Sequence, residues 1–84
     1  MEHRIEAMIV SFIREELVEA NEADALDLDE NLFASGLIDS VGIVRLIAYL
    51  QGQLGVNVPP PDLVPDNFRT VRRMATYMRG LAGA

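Results

Sequence analysis

Ser40 has the neighbours that most invite chemistry, standing in the run Gly36-Leu37-Ile38-Asp39-Ser40-Val41-Gly42. Three roles suit a serine in such a run. A nucleophile elbow needs a glycine two residues earlier, where this chain has Ile38, and it also needs a histidine and a sheet. The one histidine, His3, lies near an end expected to fray, so a serine hydrolase is excluded. The second role is a helix cap, in which Asp39 and Ser40 satisfy orphan N–H groups of the helix that follows. The third is a phosphoester on the Ser40 hydroxyl, favoured by the positive end of the helix dipole and pointing outward from a rigid support. The last two roles are compatible. With no cysteine, disulfides, thiolate metal sites and a cysteine nucleophile are all excluded. Any reactive group must therefore be borrowed.

Other candidate chemistry fails on spacing or charge. Asp27, Asp29 and Asn31 open like a calcium loop, but Leu32 stands where glycine is required and Ile38 where glutamate is required. Residues 1–40 carry eleven acids and two arginines, whereas 41–84 carry five arginines and two acids, giving the overall charge of −6. That balance opposes the electrostatic grip nucleic acid needs, and no stacking aromatics alternate with Arg69, Arg72, Arg73 and Arg79. No apolar run is long enough to span a membrane. The first residues lack the layout of a signal peptide, so a cytoplasmic location is expected.

Eighty-four residues, half of them apolar, predict one small domain over 1–84 with a modest core. Ile5, Met8, Ile9, Phe12, Ile13 and Leu17 fall at steps of three and four and predict an amphipathic helix over about 3–20. Glu15, Glu16 and Glu19 oppose the dipole at its far end and predict a frayed last turn. Residues 21–39 read as a long acidic connection anchored by Leu26, Leu28, Leu32, Phe33, Leu37 and Ile38.

A second helix starts at Asp39-Ser40, buries Ile43, Leu46, Ile47, Leu50 and Leu54, and stops at Gly55. Val41, Val44 and Ala48 make a flatter apolar strip beside Arg45, a face that invites a partner. Gly42 either opens access to Ser40 or simply costs the helix about 1 kcal/mol against alanine. Pro59, Pro60 and Pro61 forbid helix until Pro61, and a short turn is expected at Asp62-Leu63-Val64 before Pro65. Thr70 caps a last helix with Val71, Met74, Ala75, Met78 and Leu81 inward and Arg72, Arg73 and Arg79 in solvent. Phe68 and Tyr77 are expected to pack in the core. The fold class is all-α, with three main helices and one short one.

Leu32-Phe33, Gly36-Leu37-Ile38-Asp39-Ser40 and the apolar helix after them resemble the acyl and peptidyl carrier proteins. The likeness extends over nearly the whole chain, through Val58-Pro59 to a last helix with Tyr77. It implies a small right-handed helical bundle that is not itself an enzyme. Ser40 would be the serine that a phosphopantetheinyl transferase modifies from coenzyme A, and Asp39 the acid that helps position the magnesium-bound donor. The phosphopantetheine arm would supply the thiol this chain lacks. Val41, Val44, Arg45 and Ala48 fall where such carriers meet partner enzymes. No metal site of the chain's own is expected.

Two departures narrow the group. Fatty-acid carriers tend to have a strongly acidic second helix, but between Val41 and Leu54 there is no carboxylate, and Arg45 stands where an acid is usual. The Asp-Ser-x-Gly pattern, with Pro59 and Asn67-Phe68-x-Thr70, is closer to stand-alone amino-acid carriers. The resulting expectation is a monomeric, discrete carrier in polyketide or nonribosomal peptide biosynthesis. It would be loaded by an adenylating ligase or acyltransferase and unloaded by a downstream synthase. The alternatives are a D-alanyl carrier for teichoic acid, a fatty-acid carrier, or a helical interaction module in which Ser40 is only a cap.

Overall fold

The computed structural model describes residues 2–17, 27–34, 36 and 38–83. Its helices are α1 (Glu2–Phe12), α2 (Ser40–Leu54), the short α3 (Pro65–Phe68) and α4 (Val71–Leu81). No strand occurs among the described residues. Among the described residues, the expected all-α class with three main helices and one short one is what the chain adopts.

In α1, Ile5 and Ile9 are fully buried, and Ile13 continues the same row one turn later. The predicted helix over 3–20 departs from α geometry sooner than expected: Ile13–Leu17 form a π-helical turn, and 18–20 lie outside the described residues. Glu15 and Glu16 stand at the negative end of the helix, where the dipole disfavours carboxylates. Arg45 of α2 offsets part of that charge, with its Nη2 3.5 Å from Glu16 Oε1.

Helix α2 buries Gly42, Leu46, Ile47 and Leu50, while Ile43 and Leu54 are only partly covered. It ends at Gly55, whose φ of 67° is the left-handed conformation that glycine adopts without penalty. The chain beyond is tied back by Gln51, whose side-chain oxygen accepts from the Val58 N–H at 2.8 Å.

The short turn lies earlier than the sequence suggests. A 3-10 turn occupies Pro60–Asp62 rather than Asp62-Leu63-Val64. Its hydrogen bonds are donated by Asp62 N to Pro59 O and Leu63 N to Pro60 O, so Pro60 and Pro61 sit where no donor is required. The short helix is α3, with Pro65 at its first position, where the fixed φ of proline suits the helix.

Thr70 caps α4, its hydroxyl oxygen accepting from Arg73 N at 3.0 Å. Val71, Met74, Ala75 and Met78 complete the core against α1, while Arg72, Arg73 and Arg79 face out. Residues 27–34 are sewn to this helix and to the residues just before it by Leu32 N donating to Arg69 O (2.8 Å), Arg72 N to Leu28 O (3.0 Å) and Arg72 Nε to Asp29 Oδ1 (2.8 Å). Leu32 and Ile38 anchor the connection as expected. Phe33 does not: 36% of it stays exposed. Leu26 and Leu37 lie outside the described residues.

Phe68 is buried, and Tyr77 meets it edge-on with ring centroids 5.6 Å apart. The Tyr77 hydroxyl donates to Asp62 Oδ2 at 2.6 Å, fastening the 3-10 turn to α4. Burial, followed by the bond to Asp62 and its charge, pushes the Tyr77 phenol up to about 12. A phenol raised above its unfolded value of 10.0 stabilises the fold fully below pH 10, and that stabilisation is lost as pH rises through about 12. In an ultraviolet titration, Tyr77→Phe is expected to remove the phase near 12. Loss of a phase near 10 instead would break the assignment.

Candidate functional site

The site is the amino end of α2. Asp39 is the cap: its backbone is extended, and its Oδ1 accepts from Gly42 N at 2.7 Å. Its carbonyl also receives Ile43 N at 3.0 Å, starting the helical ladder. Ser40 is the first helical residue; its side chain is exposed and has no hydrogen bond among the described residues. The two residues thus divide the roles that the sequence leaves joined. Asp39 holds the helix end, and the Ser40 hydroxyl, on a fixed backbone, has no partner among the described residues.

Gly42 is buried, and its N–H is taken by the cap. Glycine at this position still costs the helix about 1 kcal/mol against alanine, since the capped N–H is one that any residue but proline would supply.

Replacing Asp39 by alanine removes that cap, at an expected cost of about 1 kcal/mol in urea denaturation. Asp39→Asn keeps an acceptor and is expected to restore most of the stability. If Asp39→Ala leaves the urea midpoint unchanged, the capping assignment is wrong.

An apolar groove of about 310 Å³ opens beside the hydroxyl. Ser40, Ile43, Val44 and Ile47 form its α2 wall, Leu63, Val64, Pro65 and Phe68 the wall opposite, and Phe33 one end. Leu63 and Val64 are half exposed there, although apolar, because the rigid proline flanks hold them outside the core. Phe33, expected as a core anchor, is thus part of a groove wall, and so are Leu63 and Val64, for which the sequence suggests only a turn. The one available clue is an apolar pair set between prolines with no helical partner positions.

The predicted docking strip lies on the open face of the same helix. Val41 is 69% and Val44 65% exposed, and Ala48 is exposed one turn further on. Arg45 shares that face but is drawn towards α1: besides Glu16, its guanidinium lies 5.9 Å from the centre of the Phe12 ring, which stacks on Tyr49 at 4.8 Å. His3 is fully exposed on α1, with Nδ1 3.5 Å from Glu6 Oε1, and lines neither recess beside Ser40. No described helix is long and apolar enough to cross a membrane.

A phosphopantetheine group would find a compatible site here. The serine is exposed and unpartnered among the described residues, and the surface next to it is apolar and open.

Comparison with known proteins bears on the family and the fold. A sequence-family model described as a phosphopantetheine attachment site matches residues 11–78. The D-alanyl carrier protein of Streptococcus sanguinis is 31% identical over 81 residues, spanning 95% of this chain and 98% of that protein. D-alanyl carrier protein 2 of Lactiplantibacillus plantarum is 34% identical over 55 residues, 66% of this chain and 69% of that protein. Among solved structures, KstB-PCP(apo) superposes with a TM-score of 0.76 at 28% identity, covering 95% of this chain and 88% of that one.

Proposed function

The chain belongs to the family of phosphopantetheine attachment domains, the phosphopantetheine carrier proteins, and on that premise we propose that Ser40 is its attachment residue and an aminoacyl group its cargo. The observation that carries the assignment is the exposed Ser40 side chain at the first position of α2, without a partner among the described residues. When bound, the arm supplies a terminal thiol that holds cargo as a thioester.

Ser40 Oγ is the nucleophile of attachment. Its bond to phosphorus forms as the phosphoanhydride of coenzyme A breaks; the adenosine bisphosphate half leaves, and the hydroxyl proton passes to a base of the transferase. Asp39 serves twice, capping α2 and presenting a carboxylate to the transferase's magnesium-bound donor. The chain adds no catalysis of its own. Tethering raises the effective concentration of cargo for partners that dock on Val41, Val44, Arg45 and Ala48. The strip is small, so docking is weak and brief, as a carrier serving several enzymes requires.

An aminoacyl cargo is supported by the D-alanyl carrier relatives and by the absence of carboxylates from α2. D-alanine destined for teichoic acid is therefore the first cargo to test. A discrete carrier in polyketide or nonribosomal peptide assembly is the second reading. It is favoured by Arg45 on the docking face and the arginines of α4, which suit partners of different charge from those of fatty-acid carriers.

The test is sequential. A broad phosphopantetheinyl transferase with coenzyme A and magnesium is expected to raise the intact mass by one phosphopantetheine. Adenylating ligases for D-alanine and for other amino acids are then offered with ATP, and the cargo is read as a second mass increment. No first increment would favour a helical interaction module. A first increment with only fatty acyl loading would overturn the aminoacyl reading. Arg45→Glu is expected to slow loading by the cognate ligase several-fold at unchanged helix content, measured by the same mass assay. Equal rates for every ligase would remove Arg45 from the docking face.

A further inference from the structure

Ser40 lines two recesses of different chemistry. One is the apolar groove described above. The other shares Phe33 and Pro65 with that groove and is bounded besides by Asn31, Ala34 and Arg69. Among the described residues, Arg69 is the one charged side chain lining either recess. We propose that Arg69, with the Asn31 amide beside it, binds the phosphodiester joining the arm to Ser40. This rests on Ser40 being the attachment residue.

The local structure fixes Arg69 where such a contact needs it. Its carbonyl accepts from Leu32 N at 2.8 Å, and Arg72 N donates to Leu28 O at 3.0 Å, closing the same seam. The two bonds hold the backbone at Arg69 against the segment that carries Asn31 and Phe33, whatever the Arg69 side chain does. The guanidinium therefore starts from a fixed root at the edge of the recess.

Both side chains have donors to spare. Arg69 gives Nη2 to the exposed carboxylate of Asp66, and a guanidinium has five N–H donors in a fork that suits a phosphate. Asn31 Oδ1 is taken by the N–H groups of Phe33 (3.1 Å) and Ala34 (3.0 Å), so what Asn31 has left to offer is its amide N–H pair. A phosphodiester on Ser40 places a second negative charge beside Asp39. The Arg69 cation in the shared recess offsets it. Arg69 is half exposed, so the contact is screened by salt and readily released. A reversible hold of this kind positions the arm between dockings without trapping it.

The test uses isotope-labelled chain before and after modification, with intact mass read first. The Arg69 Nε–Hε resonance is expected to shift on modification, and the shift to shrink with added salt. The ³¹P resonance of the modified chain is expected to move in Arg69→Gln, to move less in Arg69→Lys, and to stay in place in Arg73→Gln. Arg73 is the control because it shares a recess with Asp66, Arg69 and Thr70 but lines neither of the two recesses that include Ser40. Unchanged Arg69 and ³¹P signals in a fully modified chain would overturn the phosphate contact alone, as would equal effects of Arg69→Gln and Arg73→Gln. A wild-type chain that gains no mass would instead overturn the attachment reading, and this proposal with it.

Discussion

Ser40→Ala is expected to abolish the phosphopantetheine mass gain completely while leaving the fold intact. The hydroxyl is the atom that forms the new bond, so its removal is all-or-none for attachment. Its structural contribution is small, because Asp39 supplies the cap and the Ser40 side chain is exposed with no partner among the described residues. The stability change is expected to stay within about 0.5 kcal/mol, as for other exposed substitutions away from special features. The opposite pattern, about 1 kcal/mol lost and the mass gain kept, is what a serine acting only as a cap would give. Intact mass and urea denaturation on the same two proteins separate the cases.

Leu50→Ala is expected to have the largest effect on stability. Leu50 is 0% exposed and belongs to the core shared with Ile5, Ile9, Met74 and Met78, which seats the helix bearing Ser40. Truncating a buried leucine costs about 2–5 kcal/mol, from lost transfer energy plus the cavity left behind. Domains of this kind have only about 5–15 kcal/mol in total, so the midpoint of thermal unfolding should fall by about 10 °C or more. Val44→Ala on the same helix, at an exposed position, should change stability by less than about 0.5 kcal/mol. A loss below about 1 kcal/mol for Leu50→Ala would mean that α2 is not seated as described.

The parts of this structure written in short-range spacing are legible in the sequence. The Asp39 cap, the Leu46 and Leu50 face, the Gly55 stop and the Thr70 cap each depend on residues within four or five positions. The bounds of α1 are less so, because the π turn at Ile13–Leu17 lies where Glu16 meets Arg45, a partner 29 positions away. The seam beside Arg69 also joins Asp29 to Arg72 across 43 positions, and no local pattern announces it. Phe33, Leu63 and Val64 escape a reading of the sequence for a related reason. An apolar residue that lines an open groove has the same letter as one in the core, and only the surrounding elements tell them apart.

Fragmentation mass spectrometry of the modified wild-type chain tests the central claim most directly. The chain has three serines, Ser11, Ser35 and Ser40. The added phosphopantetheine is expected on the peptide containing Ser40, with the fragment series placing it on that residue. The same mass on Ser11 or Ser35 would contradict the account.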